Sequence, residues 1–209
     1  MLSRLAYRGA PKGKGQCYAG VVASSFLVYF AFVIIGGQLG WFSKNTFPAR
    51  IILLGTIPLA LFLFGFLWRS RIFNNLSDRL EVADFVEVHL FRVVGGFFVI
   101  LALLDTLPAW FGFIAGVGDV TAAVGSIFIA QGLRRGYARA RQWAKLWNTF
   151  GLVDILFTAI AANVLTKLVL DTGGDGVAVL AQFPFLLIPA FAPPTIIFLH
   201  LVIFKKLAS

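Results

Sequence analysis

Among the ionisable side chains within the long apolar runs of this sequence, five could do chemistry together: His89, Arg92, Asp119, Asp154 and His200. A charged side chain in the middle of a bilayer costs about 2.5–3.5 kcal/mol even on lenient insertion scales, so such residues face protein or water and find partners. Carboxylates can relay protons, a guanidinium can bind an anion or hold a carboxylate ionised, and imidazoles can ligate metals. The first question is which of these five side chains can meet.

The depth of each residue follows from the rise of about 1.5 Å per residue in an α-helix. By this measure Arg92, Asp154 and His200 lie at similar depths from one end of their apolar runs, and Asp119 lies about a turn farther in. We therefore predict a buried polar network in which Arg92 neutralises one or both carboxylates. His89 lies one turn nearer the end than Arg92, and we expect it to be solvated at the interface.

The elements that must carry these residues are six apolar runs, near residues 19–42, 50–68, 88–107, 110–133, 148–170 and 183–204. Each is long enough to cross the hydrocarbon, which takes about 20 helical residues. The 209-residue chain is 59% hydrophobic and 13% charged, with a mean hydropathy of +0.89, unlike a soluble domain. The sequence predicts one all-α transmembrane domain over residues 1–209, a polytopic helical bundle of six spans.

The distribution of basic residues predicts the orientation. Most of the 18 Lys and Arg residues fall on one side of the six runs. The exceptions are Lys44, Arg50, Arg92 and Lys167. By the positive-inside rule, both termini then face the cytoplasm across a bacterial inner (plasma) membrane. The net charge of +9 is therefore a topology signal, and no nucleic acid is expected as a partner. The single cysteine, Cys17, excludes an internal disulfide.

The last run, FPFLLIPAFAPPTIIFLHLVIF, contains four prolines: Pro184, Pro189, Pro193 and Pro194. Proline removes a helical hydrogen bond and exposes a carbonyl of the preceding turn, so we expect a broken span. His200 lies seven residues after Pro193 and shares its face. Together these features predict a polar cavity in the inner half, bounded by the last four spans.

A row of acidic residues precedes the third run at a spacing of three: Asp78, Glu81, Asp84 and Glu87. Such a row could hold a cation. A spacing of three drifts around a helix, however, so we predict a solvated face that pairs with the basic 134–145 segment.

The tetrapeptide GVGD, residues 116–119, resembles the GxGD motif of the presenilin and prepilin-peptidase type of intramembrane aspartyl protease. PAF at 189–191 resembles the Pro-Ala-Leu of that family. The resemblance implies that Asp119 is one of two catalytic carboxylates. In presenilin-type enzymes the second aspartate precedes GxGD, whereas here the comparable residue, Asp154, follows it.

A second resemblance covers most of the last four runs. FRVVGGFFV, LPAWFGFIAGVGDV, WNTFGLVDILFTA and IPAFAPPTIIFLH are similar to segments of a group of small bacterial six-span membrane proteins. This resemblance implies the six-span topology and implies no activity.

Four functional interpretations remain open. The first is a small transporter or permeation protein with Arg92, Asp119, Asp154 and His200 lining its polar core. The second is a non-catalytic subunit or homo-oligomer that packs in the lipid bilayer through the small-residue seams Gly36/Gly40 and Gly112/Gly116. The third is a redox protein with haem between His89 and His200, and the fourth is the aspartyl protease. H-E-x-x-H, G-x-S-x-G and P-loop motifs are missing from the sequence, so it gives no signature of another enzyme. No metal site is predicted, and the cofactor is left open.

Overall fold

The computed structural model of the protein describes residues 1–42 and 46–208. Within these residues every regular element is helical, and six helices are long and apolar enough to cross a bilayer. They are Gly15–Gln38, Ile52–Arg69, Val82–Leu103, Ala109–Arg134, Ala140–Thr172 and Leu187–Ala208, referred to below as the first to sixth spans. The predicted all-α bundle with six spans is confirmed. Lys44, which entered the orientation argument, lies outside the described residues.

The third and fifth spans begin well before the positions that the hydropathy pattern predicts, residues 88 and 148. The third span begins at Val82 because Glu81 and Asp84 form a capping box, in which the Glu81 N–H donates to Asp84 Oδ2 at 3.0 Å. The fifth span begins at Ala140 and has 33 residues, about 50 Å at the helical rise. Since hydrocarbon is about 30 Å thick, its first turns extend beyond the apolar layer.

Both termini lie at the same end of the bundle. A short helix, Leu2–Gly9, reaches the start of the third span through an ion pair between Arg8 and Asp84. At the other terminus, Lys206 donates to the Ser77 carbonyl at 2.8 Å. The end that carries the termini and the 69–81 and 134–140 connections is referred to as the basic end.

The glycines of the small-residue seams pack against other residues of the same chain. A Cβ added at Gly112 would be 2.6 Å from the Phe98 carbonyl oxygen, and one at Gly116 would be 3.0 Å from the Gly95 carbonyl oxygen. The fourth span therefore uses this seam to pack closely against the third span. Gly36 likewise faces the Trp41 and Phe42 rings of its own chain.

The predicted break in the sixth span is wrong, because the helix runs without interruption from Leu187 to Ala208. Pro193 and Pro194 cannot donate to the carbonyls four residues earlier, those of Pro189 and Ala190. Hydroxyl groups of two other spans donate instead. Thr56 Oγ1 donates to the Pro189 carbonyl at 2.7 Å, and the Tyr29 hydroxyl donates to the Ala190 carbonyl at 2.9 Å. Tertiary contacts thus replace both bonds that the prolines remove.

The second span reaches this position through irregular turns. Two π-helical segments, Ile52–Thr56 and Leu61–Phe66, flank a short α-helical segment that contains Pro58. Gly55 brings the second span close to the sixth, since a Cβ there would be 3.1 Å from the Cβ of Ala190. Thr56, at the end of the first π segment, is thereby placed to reach the sixth span.

Two apolar cores enclose the middle of the bundle. One, at the basic end, includes Phe85, Val88 and Ile203, and the other, toward the opposite end, includes Phe98 and Phe111. Arg92, Asp119, Asp154 and His200 lie between these cores. They are therefore separated from bulk water by packed side chains on both sides.

Candidate functional site

Arg92 is the centre of the buried polar residues. Its Nε donates to Asp119 Oδ1 at 2.7 Å and its Nη2 donates to Asp154 Oδ2 at 2.5 Å. Its Nη1 donates to the Gly151 carbonyl at 3.0 Å and lies 3.2 Å from His200 Nε2. The Arg92 side chain is 0% exposed. The structure thus brings together the four residues that the sequence predicts to line one polar core: Arg92, Asp119, Asp154 and His200, hereafter the Arg92 cluster.

Glycines make room for these side chains. A Cβ at Gly95, on the third span, would overlap the Asp119 carboxylate. A Cβ at Gly151 would lie 2.7 Å from His200 Cε1 and 3.0 Å from Arg92 Nη1. Larger residues at either position would displace the groups that bind Arg92.

The GVGD segment has a packing explanation of its own. Gly116 lies against the third span, as described above, and a Cβ at Gly118 would overlap the Asp154 carboxylate. The two glycines therefore let the fourth span approach the third and fifth spans on either side of Asp119. The spacing of this motif serves the assembly of the Arg92 cluster.

Asn148 determines the protonation state of His200 and was not identified from the sequence. Its Nδ2 donates to the His200 carbonyl at 3.0 Å, which leaves Asn148 Oδ1 to accept from His200 Nδ1 at 2.7 Å. Because Arg92 can only donate, His200 Nε2 must accept, so the imidazole is neutral with its proton on Nδ1. The available signal was spacing, since Asn148 lies three residues before Gly151 on the same helical face.

The Arg92 cluster has more carboxylates than cations. One guanidinium faces two carboxylates, whose side chains are 9% and 8% exposed, while neutral His200 adds no charge. With both carboxylates ionised, the excess is one negative charge. An uncompensated charge at low dielectric is costly, so a proton on one carboxylate or a bound cation balances the site.

His89 is buried, and the expectation that it is solvated is wrong. It is 0% exposed, with its ring centroid 4.2 Å from that of His200 and 5.2 Å from that of Trp147. Residues His89–Gly95 form a 3₁₀ segment, which has three residues per turn instead of 3.6 and so turns His89 toward the bundle interior. Both ring nitrogens of His89 lack a hydrogen-bond partner among the described residues.

The two histidines do not fit bis-imidazole haem ligation. Axial ligands approach an iron from opposite faces of the macrocycle, whereas the rings of His89 and His200 lie against each other with an interplanar angle of 33°. Both nitrogens of His200 are, in addition, engaged by Arg92 and Asn148. Among the described residues no group of three or more His, Cys, Asp or Glu side chains could hold a metal ion.

The two aspartates also differ from an aspartyl-protease dyad. In such a dyad the carboxylates face each other closely and share one proton. Here Asp119 and Asp154 bind different nitrogens of the same guanidinium, and Arg92 lies between them. The geometry is that of a cation bridging two carboxylates.

The acidic residues before and within the third span pair with cations, as the sequence predicts. Arg134 binds Asp84 at 3.2 Å and Glu87 at 2.7 Å, and Arg8 also binds Asp84. The predicted pairing with the 134–145 segment is confirmed for Asp84 and Glu87. Asp84 is buried, so the predicted solvated face is wrong at that residue. The ion pairs tie the N-terminal helix and the fourth span to the start of the third.

Comparison with known families gives one match, to a domain of unknown function designated DUF8737, over residues 48–208. The comparison with curated proteins found no match, and neither did the comparison with solved structures. The matched region contains the second to sixth spans and the whole Arg92 cluster. Because it covers more than half of the chain, the protein belongs to the DUF8737 family.

Proposed function

We propose that the protein is a small transporter or permeation protein. In this proposal the pair of carboxylates Asp119 and Asp154 takes up and releases a proton. One observation carries this proposal: two carboxylates share one guanidinium in a nearly dry site between four spans. A structural ion pair requires one carboxylate per cation. The presence of a second carboxylate is evidence for a site that gains and loses a proton, as in the acidic relays of membrane transporters.

The contacts suggest how proton exchange moves the bundle. With one carboxylate protonated, the Arg92 cluster is neutral and favours the closely packed arrangement of the structure. Loss of the proton leaves an excess negative charge, which favours any state in which a carboxylate reaches water or a cation. Arg92 holds the other carboxylate ionised, and neutral His200 accepts from Arg92 and fixes its position.

The test is proton flux into proteoliposomes that contain a trapped pH-sensitive dye. Asp119→Asn and Asp154→Asn should each slow the flux at least about tenfold, since an amide does not titrate. Asp171→Asn is the matched control, because Asp171 is exposed and forms a surface pair with Lys167. Unchanged flux in both cluster variants, with an intact fold shown by gel filtration, would exclude this role.

We also propose that the basic end faces the cytoplasm of a bacterial plasma membrane, which the asymmetric distribution of Lys and Arg supports. Cys17 is exposed near the start of the first span and serves as a reporter. A membrane-impermeant maleimide should label it in inverted vesicles but not in intact cells. Cys17→Ser combined with Thr172→Cys, at the opposite end, should reverse the pattern. Labelling of Cys17 from outside would refute the orientation.

A further inference from the structure

A groove at the basic end is formed where four spans begin or end. It has a volume of about 700 Å³, and its apolar lining includes Val82 and Leu133. Its cationic lining consists of Arg134, Arg139, Arg141 and Lys206. These residues define the basic groove, which is separate from the Arg92 cluster.

The charged side chains that line the basic groove are mostly cationic. Four cations line it, against a single carboxylate, that of Glu81. Arg134 is neutralised by Asp84 and Glu87. Arg139 and Arg141, by contrast, have no ion-pair partner among the described residues, although Arg141 Nη2 donates to the Leu207 carbonyl at 3.2 Å. Within residues 1–42 and 46–208, the charges of Arg139 and Arg141 are therefore not neutralised by a carboxylate.

Arg139, one of these two cations, has an energetically unfavourable backbone conformation. Arg139 has a φ of 66°, in the left-handed region that an arginine adopts only at a penalty. It immediately precedes the fifth span, whose first turn has no side-chain cap and no acidic residue. The helix dipole adds positive potential at this mouth of the groove.

The surroundings place the groove at the level of lipid headgroups. Tyr137 lines the groove and Trp143 lies about one turn after Ala140 on the fifth span; they are 56% and 59% exposed, as is typical of the aromatic belt at a membrane interface. A molecule with an anionic head and apolar chains would meet the cations and the apolar lining together. From this combination we propose that the basic groove binds the phosphate headgroup of an anionic phospholipid, with its chains continuing along the apolar lining into the bilayer.

Lipid binding to the delipidated full-length protein, followed by native mass spectrometry, tests the proposal. Phosphatidylglycerol is titrated against phosphatidylcholine, and inorganic phosphate is added as a competitor. The variant Arg139→Asn/Arg141→Gln should bind phosphatidylglycerol about 20-fold more weakly, given the usual gain per basic residue near anionic lipid. Arg139→Asn alone should weaken binding about 5-fold. It preserves the contact of Arg141 with Leu207, and asparagine tolerates the left-handed backbone.

The matched control is Lys12→Gln/Lys14→Gln, which removes two exposed cations from the same end outside the groove lining. It should change phosphatidylglycerol binding less than about 2-fold. Equal losses in the two double variants would show a diffuse surface effect and overturn the site. Equal binding of the two lipids would overturn the headgroup selectivity. Displacement by inorganic phosphate at lipid-like concentrations would show that the groove takes free phosphate and overturn the assignment to lipid.

Discussion

Replacing Arg92 by Gln removes the only cation of the Arg92 cluster and leaves two carboxylates in a site where their side chains are 9% and 8% exposed. Breaking a buried ion pair by removing one partner costs about 3–5 kcal/mol, because the other charge stays buried without compensation. Asp119→Asn acts differently. The amide oxygen still accepts from Arg92, and the remaining guanidinium and carboxylate balance each other. We expect this change to cost about 1 kcal/mol, the usual net value of one hydrogen bond.

The assay is reversible unfolding in mixed micelles, followed by the fluorescence of the five tryptophans. Arg92→Gln should lower the free energy of unfolding by at least about 2 kcal/mol more than Asp119→Asn or Asp154→Asn does. Combining Arg92→Gln with both Asn substitutions should recover much of the loss, because no buried charge then remains unpaired. Equal costs for the arginine and aspartate variants, or no recovery in the triple variant, would refute the argument from charge balance.

Three further predictions use neighbouring or chemically similar residues as controls. Gly95→Ala should destabilise the fold by about 1–3 kcal/mol, since its Cβ would overlap the carboxylate beneath it. Gly96→Ala meets only an ordinary contact at 3.5 Å and should be neutral or slightly stabilising. Thr56→Val should cost about 1–3 kcal/mol by leaving a proline-freed carbonyl without a donor. Thr166→Val, which loses only a bond to its own helix, should cost less. His89→Phe should be neutral or stabilising, because it removes two buried nitrogens without partners.

The same unfolding assay checks all three. The packing argument fails if the two glycine variants behave alike. A Thr56→Val variant as stable as Thr166→Val would show that the freed carbonyl finds another donor. A large loss of stability in His89→Phe would reveal a polar partner for the imidazole that the protein side chains do not provide.

The sequence predicts which residues belong to the Arg92 cluster for two reasons. A charged side chain inside an apolar run is costly and needs a partner, and the depth of a residue in the bilayer is proportional to its position along the helix. Arg92, Asp154 and His200 could be placed at one level with the helical rise alone. His89 could not be placed correctly, because the helical rise gives the depth of a residue but not the direction in which its side chain points. Its direction depends on a 3₁₀ segment that the hydropathy pattern does not show. Asn148 was missed because a polar residue at the edge of a predicted span is ordinary.

The sixth span shows a second limit of reasoning from one segment at a time. Its prolines predict missing hydrogen bonds, and that part of the expectation holds for the backbone of the span itself. The donors, however, are hydroxyl groups of Tyr29 and Thr56, which are more than 130 residues away along the chain. Threonine and tyrosine in an apolar run have many possible roles. Only the three-dimensional arrangement shows that they replace the bonds lost at Pro193 and Pro194.

These hydroxyl contacts also bear on how the chain is assembled during synthesis. The sixth span emerges from the ribosome after the first and second spans, which carry the two donors that complete its backbone hydrogen bonding. Hydrocarbon supplies no alternative donor for a freed carbonyl. We therefore expect the hydrogen bonding of the sixth span to be completed only when this span docks against the first and second spans, which enter the membrane before it.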